Sequence, residues 1–347
     1  MSDDLLRHAI RRLASGHHLT ADESGAAFDV VMAGSATPVQ VAALLVGLRV
    51  KGETASEIAG AARALRRAMV RLDVADQASL VDTCGTGGGA IPTFNISTAA
   101  ALVAAACGVR IAKHGNRSFT SRSGSADLLE AMGVRIDLPA ARMAGVLRDV
   151  GIVFMFAPLM HPAMRHVGPV RRELAIPTVM NMIGPLANPA SAGRQVIGVA
   201  DLSRLDLIAD ALHELGTEHA LVVHGAPGMD EISPLGITQI RELRGRDPVK
   251  SWTIDPASLG YGPMAADELA GGDPRENSAV VREVLAGGGA PAARAAVAVN
   301  AAAALYVARG GGDYLALHDE VRIALREARA IPILEQLITA SSAGNST

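Results

Sequence analysis

Residues 1–70 carry one helix signal after another and no strand signal, and from about Leu80 onward short apolar runs alternate with helical stretches. Such a switch of period confines the chain to a small all-helical N-terminal domain followed by a larger α/β domain. The strands of the larger domain are expected to be mainly parallel and flanked by helices, because a helix-sized crossover separates each from the next. In the first domain Leu5, Ile10 and Leu13 line one face before Gly16 stops the helix. Thr20 with Glu23, and Thr54 with Glu57, have the spacing of capping boxes, in which side chain and backbone satisfy each other's orphan donors. Thr37 before Pro38 gives a third helix start, with Val41, Leu44, Leu45 and Leu48 as its apolar stripe.

In the second domain 80–82 reads as a strand, 97–106 as a helix and 109–112 as a strand, which makes a βαβ unit. The alternation continues through 128–132, 134–138, 140–150 and 152–156, and resumes at 196–200 and 220–223. Two Pro-containing turns in 170–189 interrupt it, and that stretch is expected to return to the helical domain, so that the junction forms a cleft. Alanine-rich helices over 292–309 and 317–340 close the chain, the second divided or kinked at Pro332. The expected boundaries are a helical domain over 1–74 with the returning segment near 170–189, an α/β domain over 75–169 and 190–340, and a disordered tail over 341–347.

Composition narrows the function. With 347 residues, 49% of them hydrophobic, the chain can bury a large core in two domains. A formal net charge of -3 with mixed signs gives no basic footprint for nucleic acid, and aromatic residues at 3%, with Trp252 the sole tryptophan, supply no stacking platform. Cys84 and Cys107 lack any paired metal-ligand spacing and read as reduced, packed thiols. The start of the chain reads as an amphipathic helix, not a signal peptide, so a cytoplasmic location is expected. The longest apolar run, 99–109, falls short of the roughly 18 residues of a membrane span.

Three loops carry the chemistry. Asp82-Thr-Cys-Gly-Thr-Gly-Gly-Gly-Ala90 follows a strand and precedes a helix beginning near Asn95-Ile-Ser-Thr98. Bare glycine amides and a helix N-terminus suit a phosphate, although a glycine run after a strand is as often a plain turn. Next, Lys113-His-Gly-Asn-Arg117 and the hydroxyls of Ser118, Thr120, Ser121, Ser123 and Ser125 are expected to leave the sheet as one loop able to wrap phosphates. The plain alternative is a polar surface loop with Ser125 capping the helix that follows. Third, Asp230-Glu231 follows a strand, and hard carboxylate oxygens suit magnesium; a solvated acidic pair is the alternative. Beyond these, His161, Arg165, His166, Arg171 and Arg172 are expected on one helix beginning near Pro162. Histidines five apart do not share a helical face, so zinc is not indicated, whereas an arginine fork matches an acidic substrate as well as it matches a surface ion pair.

The blocks Gly85-Thr-Gly-Gly88, Phe94-Asn-Ile-Ser-Thr98, Lys113-His-Gly-Asn-Arg117, Ser123-Gly-Ser-Ala-Asp127, His161-Pro-Ala-Met164, Pro169-Val-Arg-Arg-Glu173, Gly184-Pro-Leu186, Asn188-Pro189 and Asp230-Glu-Ile-Ser233 occur in one order. Gly271-Gly-Asp-Pro274 with Asn277 adds another near the C-terminus. Together they resemble the anthranilate phosphoribosyltransferase family over nearly the whole chain. The resemblance implies transfer of phosphoribosyl from phosphoribosyl pyrophosphate to the amine of anthranilate, with both small molecules in the cleft, Mg2+ as cofactor and a homodimer formed through the helical parts.

By the same resemblance Gly85, Gly88, Gly89, Thr93, Asn95, Ile96, Ser97 and Thr98 bind phosphoribosyl pyrophosphate around the glycine turn. Lys113, His114, Gly115, Asn116, Arg117, Ser118, Phe119, Thr120, Ser121 and Ser125 complete that set. Gly85, Asn116, His161, Arg171 and Pro185 are implied to hold anthranilate, with His114 also against its ring, and Ser97, Asp230 and Glu231 to hold the metal. Lys113, His114, Asp230 and Glu231 are the implied catalytic groups, His114 removing the late amine proton. One departure is Gly89, where the family usually has an aspartate. Two rivals differ in class. A pyrimidine nucleoside phosphorylase shares the architecture by analogy but not the pattern over 113–127. A non-catalytic nucleic-acid-binding relative is opposed by the charge of -3 and by the retained Asp230-Glu231.

Overall fold

The computed structural model describes residues 2–118 and 122–343. Four helices open the chain: α1 (Ser2–Ala14), α2 (Ala21–Met32), α3 (Pro38–Lys51) and α4 (Ala55–Ala68). Thr20, Thr37 and Thr54 each accept from the backbone N–H three residues on, and Glu23, Gln40 and Glu57 close the boxes in return. Each such cap contributes about 1 kcal/mol. Between the helices Leu6, Phe28, Leu44, Leu45, Leu48 and Ile58 are fully enclosed.

The rest of the chain builds a seven-stranded sheet of order β3-β2-β1-β4-β5-β6-β7. Its strands are β1 (Val81–Gly85), β2 (Ile111–Gly115), β3 (Ile152–Phe156), β4 (Arg194–Gly198), β5 (His219–Gly225), β6 (Thr238–Arg244) and β7 (Lys250–Ile254). The first five run parallel, as the alternation requires, while β6 and β7 extend the sheet antiparallel beyond β5. The helices that follow in chain order are α5 (Ile96–Ala106), α6 (Ser125–Ala131), α7 (Ala140–Val150), α8 (Ala157–Met160), α9 (Gly168–Leu174), α10 (Val179–Ile183), α11 (Leu205–Glu214), α12 (Pro274–Leu285), α13 (Pro291–Ala308), α14 (Tyr314–Arg326) and α15 (Ala330–Ser342).

Alternation along the strands feeds two cores. Val196, Leu221 and Val223 join α5 and α13 on one face, whereas Ile197, Ala220 and Val222 join α11 and, through it, the helical bundle on the other. α11 packs on α4, and α9 and α10 lie against α3, with α10 also on α4. Polar bonds reinforce this junction: Ser56 to Glu214 at 2.7 Å, Arg63 to the Glu214 carbonyl at 2.7 Å, and Arg204 to Glu53 at 2.6 Å. By length and hydropathy α13, with 18 residues, matches a membrane span, but 83% of it is buried against the sheet and its neighbouring helices. Burial on all sides explains its uniform apolarity.

Several sequence expectations are corrected. The stretch 134–138 joins no ladder: Val134, Ile136 and Leu138 alternate inward, but the Arg135 N–H donates to the Ser341 hydroxyl of α15 at 3.0 Å instead of to a strand. The last helical stretch breaks at 327–329, where Ala328 has φ 53°, and not at Pro332, which sits in the first turn of α15, where a missing N–H costs nothing. Residues 161–172 are not one helix; a 3-10 turn over Pro162–His166 precedes α9, so the histidines and Arg171 belong to different elements. Helix α15 continues through Ser342, into the stretch expected to be disordered, and 344–347 lie outside the described residues.

Candidate active site

Strand β1 lies between β2 and β4, the point at which strand order reverses, and open α/β sheets hold ligands in the crevice at the carboxyl ends of such strands. There β1, β2, β4 and β5 all end in glycine, and Gly85 stands in register with Gly198. A Cβ on either of that pair would collide with Asp230, from the loop after β5. The glycine turn is fastened to the same loop: Gly87 N–H donates to Asp230 Oδ2 at 2.8 Å and Ala90 N–H to the Gly228 carbonyl at 2.8 Å. Gly89 faces Asp230 Oδ1, 3.3 Å from its own Cβ position, so an aspartate there would set a second carboxylate beside Asp230.

Asp230 and Glu231 are partly buried, and among the described residues neither has a cation at ion-pair distance. Burial pushes both carboxyls up, and the neighbouring charge of Asp230 helps to bring Glu231 to about 8. The loop is held from beneath by Asn300 of α13, which accepts from Ile232 N–H at 2.9 Å and donates to the Ile232 carbonyl at 2.8 Å. Glu231 lines a small cavity with Thr83, Cys84, Ser97, Gly198 and Asn300. Two adjacent carboxylates short of a counter-charge, with the Ser97 hydroxyl alongside, fit a hard divalent cation that keeps waters or substrate oxygens as its other ligands.

Lys113 and His114 are not loop residues, as the sequence reading had them. Strand β2 continues through Gly115 because its ladder with β3 extends to Phe156. The Lys113 ammonium is buried, donating to the Thr83 carbonyl and reaching the hydroxyls of Thr83 at 3.4 Å and Ser97 at 3.3 Å. Burial lowers its pKa, against the opposing charges of Asp82, Cys84 and Glu231. His114 donates its backbone N–H to Asp82 at 3.1 Å, and its ring packs at 4.9 Å from that of His161. Burial brings His114 to about 3 and His161 to about 4, so both rings are neutral near pH 7. Nε2 of His114 has no hydrogen-bond partner among the described residues, and His161 lies beside the Ala187 backbone.

The described ends of the hydroxyl-rich loop are held by Asp127, whose carboxylate accepts from Gly124 N–H at 2.9 Å, Ser118 N–H at 3.1 Å and Arg117 at 2.8 Å. The helix cap is therefore Gly124, and Ser125 is the first residue of α6 instead of its cap. Arg117 also pairs with Glu130 at 2.5 Å and lies over Phe156, which engages it structurally. Asn116 accepts from Arg117 N–H at 2.8 Å. Phe119, Thr120 and Ser121 lie outside the described residues. Across the crevice, Thr93 pairs with Ala270 in an isolated bridge and Asn95 bonds Ser123. Ile96 and Thr98 point into the core from the first turn of α5, while Gly88, with φ 81°, leaves the turn open. Arg171 stands apart on α9; the only side-chain hydrogen bond it makes among the described residues runs to Asn181 at 3.4 Å, and burial lowers its pKa. Pro185 meets the sheet through its carbonyl, which accepts from Gln195 at 3.0 Å.

Known proteins match this arrangement in sequence and shape. The helical bundle domain of a glycosyl transferase family matches residues 7–69, and the a/b domain of that family matches 77–330. Over 339 residues the chain is 47% identical to the anthranilate phosphoribosyltransferase of Roseiflexus sp. (strain RS-1), covering 98% of this chain and 99% of that one. The chain belongs to the anthranilate phosphoribosyltransferase family. A crystal structure of a family member from Thermus thermophilus superposes with a TM-score of 0.90 at 40% identity, covering 96% of this chain and 99% of that one. The Saccharomyces cerevisiae anthranilate phosphoribosyltransferase in complex with PRPP and Mg superposes with a TM-score of 0.89 at 27% identity, over 98% of each chain.

Within this anthranilate phosphoribosyltransferase-family fold, sequence reasoning assigned no role to the asparagines that hold the site from behind. Asn188 joins Asp82 to the Ala112 carbonyl at 2.8 Å each, and Asn300 grips Ile232. An asparagine amid the alanines of α13 is the one visible hint, since a buried amide has to be bonded.

Proposed function

We propose that this chain transfers the phosphoribosyl group of phosphoribosyl pyrophosphate to the amine of anthranilate and releases pyrophosphate. The observation that carries the reading is the convergence, at the β1/β4 crevice, of a glycine-bared sheet edge, the Lys113 ammonium and the Asp230-Glu231 pair. A carbon–nitrogen bond forms at C1 of the ribose as the bond to pyrophosphate breaks, so negative charge grows on the leaving group. Amides of the glycine turn would hold that charge, and the buried Lys113 ammonium would add its field from beneath. Magnesium held by Asp230, Glu231 and Ser97 would neutralise diphosphate oxygens when bound.

Arg171 lacks a carboxylate partner among the described residues, which leaves its fork for the carboxylate of anthranilate. An aromatic amine is unprotonated at neutral pH, so no strong base is required. His114 and His161, held neutral, suit walls for an aromatic ring; with its pKa near 3, His114 serves as a weak acceptor for the departing proton and no more. Homodimer formation through the helical bundle, and a cytoplasmic location, belong to the same reading. The first is supported by Leu5, Val39 and Val50, exposed by 52%, 77% and 81%. Loss of anthranilate fluorescence that depends on both phosphoribosyl pyrophosphate and magnesium tests the proposal; purified protein that leaves both compounds unchanged would refute it.

A further inference from the structure

We infer that Asn277 is a positioning residue that fixes which way the amide of Asn95 faces, and so governs binding of phosphoribosyl pyrophosphate from outside the set of candidate ligands. The inference rests on the function proposed above.

Asn277 lies in the first turn of α12, 2% exposed, and is not the helix cap, a role filled by Asp273. Its oxygen is committed, because Gly272 N–H donates to it at 2.7 Å. The other end of the amide must therefore present N–H, and it donates to Asn95 Oδ1 at 2.9 Å across 182 positions of sequence. That bond orients Asn95 in turn. With its oxygen turned toward Asn277 and the Ser123 hydroxyl (3.3 Å), Asn95 directs its nitrogen to the Ser123 carbonyl at 3.1 Å. One of its two N–H groups then has no acceptor among the described residues, and it stands at the start of α5 beside Ser97.

The surrounding segment is built to hold this relay. Thr93 bridges Ala270, Phe94 N–H donates to the Leu269 carbonyl at 3.0 Å, and a Cβ at Gly271 would run into the Thr93 backbone. Arg122 pairs with Glu276 at 3.4 Å, so both sides of the crevice near Asn95 are anchored on the start of α12.

Asn277→Asp keeps the size and the acceptor for Gly272 but removes the donor. The introduced carboxylate would face Asn95 Oδ1, and Asn95 relieves the repulsion by turning its amide over. Its oxygen then opposes the Ser123 carbonyl and the spare N–H is lost. Steady-state kinetics with each substrate varied should show KM for phosphoribosyl pyrophosphate raised about tenfold, the cost of one buried hydrogen bond. KM for anthranilate and the far-UV circular dichroism should be unchanged, and phosphoribosyl pyrophosphate alone should stabilise the variant less against heat than it does the wild type.

Wild-type KM values in Asn277→Asp, or an equal rise for both substrates, would overturn the inference in favour of a packing role. If that variant does not fold, Asn277→Ala decides by the same split: an effect confined to phosphoribosyl pyrophosphate supports positioning, and any other result rejects it. A wild-type protein inactive with both substrates would instead refute the underlying function.

Discussion

Asn188 donates to the buried carboxylate of Asp82 at 2.8 Å, joining residues 106 positions apart beneath the crevice. The same amide donates to the Ala112 carbonyl at 2.8 Å, and Asp82 accepts from His114 N–H, so one side chain sets β1 against β2 next to Lys113. Asn188→Leu would leave Asp82 buried with a partner missing and should destabilise the fold by about 2 kcal/mol. Urea unfolding reads this directly; an unchanged midpoint would show that the bond contributes nothing.

Replacing Asp230 by Asn together with Glu231 by Gln removes the negative charge proposed to bind magnesium while keeping volume. Turnover should fall by about a hundredfold or more, with circular dichroism unchanged. Retained turnover would remove the metal role from this pair.

Because Asn300 holds both polar groups of Ile232, Asn300→Ala should loosen the acidic loop without touching its carboxylates. The magnesium concentration for half-maximal rate should rise about tenfold. A magnesium titration identical to that of the wild type would mean that the loop keeps its shape unaided.

Arg171→Ala should raise KM for anthranilate about tenfold or more and spare that for phosphoribosyl pyrophosphate, since the proposed charge-assisted fork to the substrate carboxylate would be lost. The opposite pattern would reverse the assignment of the two subsites.

Far from the crevice, Glu242 accepts from His219 at 3.0 Å, Arg244 at 2.7 Å, Trp252 at 3.0 Å and Tyr306 at 3.2 Å. Burial alone would raise its pKa, but the hydrogen bonds and charges of His219 and Arg244 bring it from 4.5 down to about 2. A depressed carboxyl stabilises the fold above its unfolded pKa, and that stability is lost as pH falls toward the folded value. The contribution is about 2 kcal/mol once solvent screening at the Arg244 side is discounted. Glu242→Gln should thus be less stable than the wild type near about pH 6, with the gap narrowing by about pH 3. A gap independent of pH would contradict the assignment.

Local chemistry was readable from the sequence and distant pairing was not. Thr20, Thr37 and Thr54 announce their helices because cap and partner sit three residues apart. Strands β3 and β5 show as apolar runs because both of their faces are covered. Strands β6 and β7 did not show: Gln239, Arg241 and Lys250 interleave polar side chains with the buried ones, as half-exposed strands near a sheet edge do. In the site, the glycine turn, the acidic pair and the hydroxyl run could each be seen. Lys113 was misplaced into a loop because a charged residue inside a parallel strand is justified only by Thr83 and Ser97, which lie elsewhere in the chain. The amides of Asn188, Asn277 and Asn300 act over separations of 68 to 182 residues, so the sequence shows the residues but not their partners.

Four parallel strands finish in glycine at the foot of the crevice, each packed so closely by a neighbouring segment that a Cβ would not fit. The width of the crevice is thereby a matter of covalent geometry and ladder spacing, since Gly85 and Gly198 have no rotamers by which the gap under Asp230 could widen or narrow. Such a junction behaves like a machined gauge: it keeps Asp230 at one height above the strand ends at every temperature at which the sheet survives. Adaptation to a different leaving group would have to come from the loops above it.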